Sequence, residues 1–206
     1  MTEPPEATPY PYAYPPSPHS RKHGPSGYTD YESYRDWLRD EFSFRCVYCL
    51  YREQWGVQIS RWHIDHLSPQ ALNPALGLTY DNLLYACSSC NTTKGARLVP
   101  DPCAMDLASS LEVDIDGVIK AKNKEGQLLI KIMRLDNEDY TRFRAMIIKT
   151  MQILANADRD TYLLWMGYPE ELPDLSKLRP SSNTRPDGIK NSFFARHQRG
   201  ELDEVY

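Results

Sequence analysis

The sequence predicts an α+β fold: a strand–loop–strand–helix unit pinned by a structural zinc site, joined to an accessory layer of strands and helices. Three observations carry this reading. Two Cys-x-x-Cys pairs, Cys46/Cys49 and Cys87/Cys90, enclose 37 residues in which apolar, β-favouring runs flank a long loop. Apolar residues recur at helical spacing on either side of that unit, over 30–42 and again after Asn137. Between the clip and Asn137, short apolar runs broken by Asp116-Gly117 and Asn123–Gly126 read as a meander of strands.

Residues 1–27 hold eight of the sixteen prolines, interleaved with Tyr10, Tyr12 and Tyr14, and are expected to form a disordered or polyproline-like tail. Such a tract is able to recruit a protein partner, although a flexible leader is the simpler reading. Thr29 with Glu32 three residues later forms a capping box, and Tyr31, Tyr34, Leu38 and Phe42 then make an amphipathic helix over 30–42. Gln58–Ile64 reads as a strand ending at the Asp65-His66 pair. Pro69, Asn73-Pro74 and Gly77 make 67–81 a long loop, Asn82–Ala86 a return strand, and Ser88–Arg97 a helix. Beyond Pro102, strands are expected at 111–115, 118–119 and 127–132. Asn137 caps a long helix with Tyr140, Phe143, Ile147, Met151 and Leu154 on one stripe, and Thr161–Met166 is a further helix stopped by Gly167. The chain thus divides into a tail (1–27), a core (28–98), an accessory strand-helix layer (99–175) and a polar, partly basic C-terminal tail (176–206).

The 206 residues suffice for one domain with extensions. No apolar run reaches membrane-spanning length, and the start lacks a basic stretch followed by an apolar one, so no membrane association is expected. Five cysteines do not make a disulfide scaffold, and a reducing cytoplasmic setting suits four of them in knuckle spacing, with Cys103 left over. The net charge of −4 disfavours a bulk electrostatic grip on nucleic acid. Its distribution is more informative. Residues 42–98 carry five Arg/Lys against three Asp/Glu, and 176–200 carry six against one, so the C-terminal tail is expected to add affinity for phosphate or to meet a partner.

Thiolates from Cys46, Cys49, Cys87 and Cys90 would fill all four positions around Zn²⁺, which makes that metal structural. Inside and beside the clip lie His63, Asp65-His66, Asn82, Asn91, Lys94 and Arg97. The pattern Cys46-x-x-Cys49, Asp65-His66, Asn82-Leu83, Cys87-x-x-Cys90-Asn91-x-x-Lys94-Gly95 resembles the HNH endonucleases, in the subgroup with two Cys-x-x-Cys knuckles. The resemblance implies a ββα-metal core that hydrolyses DNA phosphodiester bonds, with RNA an alternative substrate. His66 would be the general base, Asp65 and Asn91 would hold a catalytic Mg²⁺ or Mn²⁺, and Asn82 would brace the loop carrying His66. The third letter of the motif, often His, is Asn91 here. Lys94 and Arg97 would contact phosphate from the helix that carries Asn91. Taken singly, Asp65 and Asn91 read more simply as a solvated strand-end carboxylate and a helix-start residue, and Asn82 as a turn residue. A catalytically silent zinc module for nucleic-acid or protein interaction is the alternative reading. Asp65 and His66 are strand neighbours, so they can reach one phosphate only where the backbone leaves the regular pleat.

Overall fold

The computed structural model describes residues 9–56, 62–179 and 182–206. Its first helical segment starts at Asp30, whose carboxylate accepts from the Glu32 amide at 3.1 Å. Asp30 rather than Thr29 is therefore the cap, a charged acceptor favoured by the positive end of the turn. A 3-10 turn over Tyr31–Tyr34 leads into α1 (Arg35–Glu41), which buries Trp37 and Leu38.

Two antiparallel strands form the centre, β2 (Trp62–His66) and β3 (Leu83–Cys87), in register from Trp62↔Cys87 to His66↔Leu83. The strand expected over 58–64 is seen from Trp62 and includes the Asp65-His66 pair, while 58–61 lie outside the described residues. Every residue of β3 is buried, because α1 covers it and α2 (Ser88–Lys94) packs on both strands. A strand covered on both faces needs the continuous apolar run Leu-Leu-Tyr-Ala. Helix α2 stops at Lys94, short of the expected Arg97, because Gly95 takes φ of 53° and ψ of −133°. Residues with a Cβ rarely adopt that conformation.

In the accessory layer α3 (Leu107–Ser110) leads into a hairpin of β4 (Leu111–Val113) and β5 (Ile119–Ala121) around Asp116-Gly117. The third strand expected at 127–132 is instead part of a helix, α4 (Lys124–Met133). Asn123 caps it by accepting from the Gly126 amide at 2.8 Å, and its buried residues Gly126, Leu129, Ile130 and Met133 follow helical spacing. The long helix α5 (Glu138–Ala157) starts as expected, with Asn137 accepting from the Tyr140 amide at 2.9 Å. Helix α6 (Arg159–Met166) ends at Gly167.

Neither end of the described chain is a loose tail. Over 9–27, where disorder was expected, Tyr12 and Tyr14 are only 3% and 8% exposed. The Tyr12 ring meets Trp55 at 5.3 Å, and the Tyr14 hydroxyl donates to the Tyr48 carbonyl at 3.0 Å. Strand β1 (Pro25–Ser26) pairs with β6 (Ser182–Asn183). The segment expected as a polar C-terminal tail continues through α7 (Asp187–Lys190) and α8 (Phe193–Gln198), burying Phe193 and stacking Tyr206 on Tyr168 at 4.7 Å.

Two acids at the end of α1 draw both segments in. Glu41 accepts from the His19 ring (2.6 Å), the Lys22 and His23 amides (2.8 and 3.0 Å) and the Tyr80 hydroxyl (3.0 Å). Asp40 accepts from the His23 ring at 2.8 Å on one oxygen and from the Phe193 amide at 2.7 Å on the other. Buried carboxylates are tolerated only when so surrounded by donors, and all of these but Tyr80 come from the two segments expected as tails.

Candidate metal centre and catalytic cleft

The first knuckle is a tight turn in which the Leu50 amide donates to the Cys46 carbonyl at 2.9 Å and Leu50 itself takes φ of 59°. The Val47 amide reaches across to the Tyr85 carbonyl at 3.0 Å, fixing this turn to β3. Since β3 ends in Cys87 and α2 carries Cys90, the second knuckle arrives on the same framework. The ligand atoms of Cys46, Cys49, Cys87 and Cys90 all lie within 4.8 Å of one another, and all four residues are buried. Sulfurs held roughly 2.3 Å from a tetrahedral zinc are spaced at about 3.8 Å, and those of Cys49 and Cys87 are 3.7 Å apart. The donor set fits Zn²⁺, as the sequence predicts. Burial alone would raise the Cys46 thiol, yet hydrogen bonds from Cys49, Cys87 and Cys90 hold it well below its usual range. Cys49 and Cys90 are pushed well up, chiefly by their hydrogen bonds to Cys46. Four thiols so crowded favour a cation at their centre. Cys103 stands apart from the cluster, half-buried, its thiol pushed up to about 12 chiefly by burial.

On another side of α2 lies a cleft of about 280 Å³, lined by Asp65 and His66 of β2, Pro69, Gln70 and Ala71 of the loop, and Asn91, Gly95 and Ala96. The fold thus brings Asp65, His66 and Asn91 to one space. The two strand neighbours share it because His66 is the last residue of β2, where the chain departs into the loop. Asn82 controls that departure. Its amide oxygen accepts from the Ser68 amide at 2.8 Å, while its nitrogen donates to the Ser68 and Leu76 carbonyls at 3.1 and 3.2 Å. His66 Nε2 lies 3.0 Å from the Gly77 carbonyl, which can only accept, so Nε2 carries the proton and Nδ1 is the basic nitrogen. The Tyr31 ring meets the imidazole edge-on at 5.0 Å.

Asp65 is buried, and both its oxygens are engaged. Oδ2 accepts from the Tyr48 hydroxyl at 2.6 Å, and Oδ1 from Lys94 Nζ at 3.0 Å. Burial raises its carboxyl above the ordinary range even though Lys94 and Tyr48 pull the other way. Lys94 departs from its expected role. Instead of facing phosphate it is 1% exposed, its ammonium bridging Asp65 and the His66 carbonyl at 2.6 Å. The lysine stem points inward because α2 packs that face on the strands. Arg97 stays exposed beyond the helix, its Nε donating to the Lys94 carbonyl at 3.1 Å. His63, paired in register with Ala86, does not line the cleft. Tyr48 and the Gly77 carbonyl were not singled out by sequence. Tyr48 had one signal, its place between the two cysteines of a knuckle. A backbone carbonyl has none.

A strand pair, a loop and a helix, clipped by four thiols that could hold zinc and converging on a carboxylate, an imidazole and an amide, define a small domain of the ββα kind. Residues 46–97, about a quarter of the chain, match the family model described as HNH endonuclease, and this segment is an HNH domain. HNH proteins are in general nucleases that act on nucleic acids, usually with divalent metals. Comparison with curated proteins gives no match to the chain. No helix among the described residues is long and apolar enough to cross a membrane.

Proposed function

We propose that the protein is a metal-dependent endonuclease that hydrolyses phosphodiester bonds of DNA. The observation that carries this reading is the convergence of Asp65, His66 and Asn91 on one cleft. His66 is the general base: with Nε2–H committed to Gly77, Nδ1 is free to take a proton from the attacking water. Asp65 and Asn91 are the residues that would hold one Mg²⁺ or Mn²⁺, a sparse oxygen set that would leave positions for water and phosphate. When bound, the cation supplies stabilisation for charge developing on the phosphate and the leaving oxygen. Asn82 keeps the loop, and with it Gly77, in place against His66. Arg97 is the cation at the end of α2 available to a neighbouring phosphate. Nothing in this set reads base edges, so cleavage is expected to show little sequence preference and to weaken steeply with salt.

The test is plasmid cleavage with Mg²⁺, Mn²⁺ or a chelator, comparing the wild type with His66→Ala. Metal-dependent cutting by the wild type, lost in the variant at unchanged zinc content, is the expected result. Equal cutting by the two would remove His66 from the chemistry. One observation favours a second reading, the silent zinc module: Asp65 already has a cationic partner in Lys94. That reading requires DNA or protein binding with no cleavage under any divalent metal.

A further inference from the structure

Among the described residues, Asp65 is the only acidic one lining the cleft, and the ammonium of Lys94 sits on its Oδ1 with no exposure of the lysine side chain. The other polar side chains around the space, Gln70, Asn91 and the imidazole of His66, carry no negative charge. The pair is therefore close to neutral as a unit. Lys94 cannot swing into solvent at little cost, because it also holds the His66 carbonyl and its side chain is fully buried. Affinity for a hard divalent cation depends on the number of charged oxygens around it, and a site with one carboxylate already paired is poor on that scale. A phosphodiester entering the cleft would supply the missing negative oxygen.

We propose that Lys94 cancels the charge of Asp65 in the free protein, so that a divalent cation is captured only together with a phosphodiester. The inference rests on the nuclease reading of the cleft and assigns Lys94 as a positioning residue rather than a phosphate ligand. It makes metal and nucleic acid cooperative ligands, and by linkage each tightens the other by the same factor. Tyr48 serves the same arrangement through the other oxygen, its hydroxyl donating to Oδ2 and so fixing the orientation of Asp65. A nuclease so built carries little metal at its cleft until a strand arrives.

The probe is Mn²⁺, whose free aquo ion is counted by electron paramagnetic resonance. The protein is full-length His66→Ala, used so that DNA survives, with a short duplex and a duplex-alone control. Mn²⁺ is expected to bind weakly without duplex and at least about tenfold more tightly with it. Lys94→Met keeps the apolar stem but removes the charge. It is expected to bind Mn²⁺ at least about tenfold more tightly without duplex, with most of the duplex effect gone. Equal Mn²⁺ affinity with and without duplex would overturn the proposal, as would an unchanged or weaker affinity in Lys94→Met. If Lys94→Met does not fold, the duplex comparison in the lysine-bearing protein decides alone. Failure here is separable from failure of the nuclease reading: cleavage by a wild type that takes up Mn²⁺ tightly without DNA sinks only the Lys94 proposal. Absence of cleavage with duplex-dependent Mn²⁺ uptake sinks only the nuclease reading.

Discussion

Replacing Glu41 with glutamine should unlock the 9–27 segment and erase much of the acid sensitivity of the fold. Four donors surround the wild-type carboxylate: the His19 ring, the Lys22 and His23 amides and the Tyr80 hydroxyl. Burial alone would raise this carboxyl, but hydrogen bonds from His19 and the Lys22 amide, with the charges of His19 and His23, bring it down to about 2 from an ordinary 4.5. That depression corresponds to about 3 kcal/mol of stability. Because the folded-state value lies below the unfolded one, the stabilisation is fully present above about pH 4.5 and is lost as the pH falls towards about 2. Glutamine offers one acceptor oxygen and turns its own N–H groups toward donors, so at least two buried donors lose a partner at about 1–3 kcal/mol each. The expected loss at pH 7 is about 3–5 kcal/mol, with a flatter stability profile between pH 4.5 and 2. Urea unfolding followed by tryptophan fluorescence at several pH values measures both, and limited proteolysis reports whether 9–27 has come free. A variant with wild-type midpoints, wild-type pH slope and wild-type protease resistance would show that the Glu41 network does not hold this segment.

Metal analysis of purified protein should find one zinc per chain. Cys49→Ser should lower both zinc content and solubility, whereas Cys103→Ser should leave both unchanged. Asn82→Ala removes three hydrogen bonds and strands the Ser68 amide, so it should cost about 2–3 kcal/mol in thermal unfolding and reduce the cleavage rate. Deletion of 176–206 takes away β6, the Phe193 amide on Asp40 and the Tyr206 stack. Circular dichroism should then show a loss of cooperative unfolding, where a dispensable tail would leave the melt intact.

The clustering of the four cysteines and the meeting of Asp65, His66 and Asn91 at one cleft were legible because their spacing is enforced by short-range geometry. Two knuckles, an Asp-His pair at a strand end and an asparagine on the following helix each depend on near neighbours in sequence. Asn137 as a cap and Gly167 as a stop were readable for the same reason. What escaped depends on partners far along the chain. Tyr12 is core because Trp55 is there to meet it, and Glu41 is buried because His19 and Tyr80 arrive from either side. Leu128-Leu129-Ile130 fits a strand or a helix equally over so short a run, and the Asn123 cap decides between them. Lys94 looked like a surface cation because sequence does not say which face of α2 the strands cover.

The pairing of Pro25 with Asn183 has a consequence for how the protein is made. An edge formed early in synthesis waits for a partner more than 150 residues downstream, and contacts of such sequence separation are slow to close. At about 5–20 residues per second, ribosomal synthesis leaves that interval at several seconds or more. During it Asp40 lacks the Phe193 amide. Closure of this strand pair is thereby postponed until nearly all of the described chain has emerged.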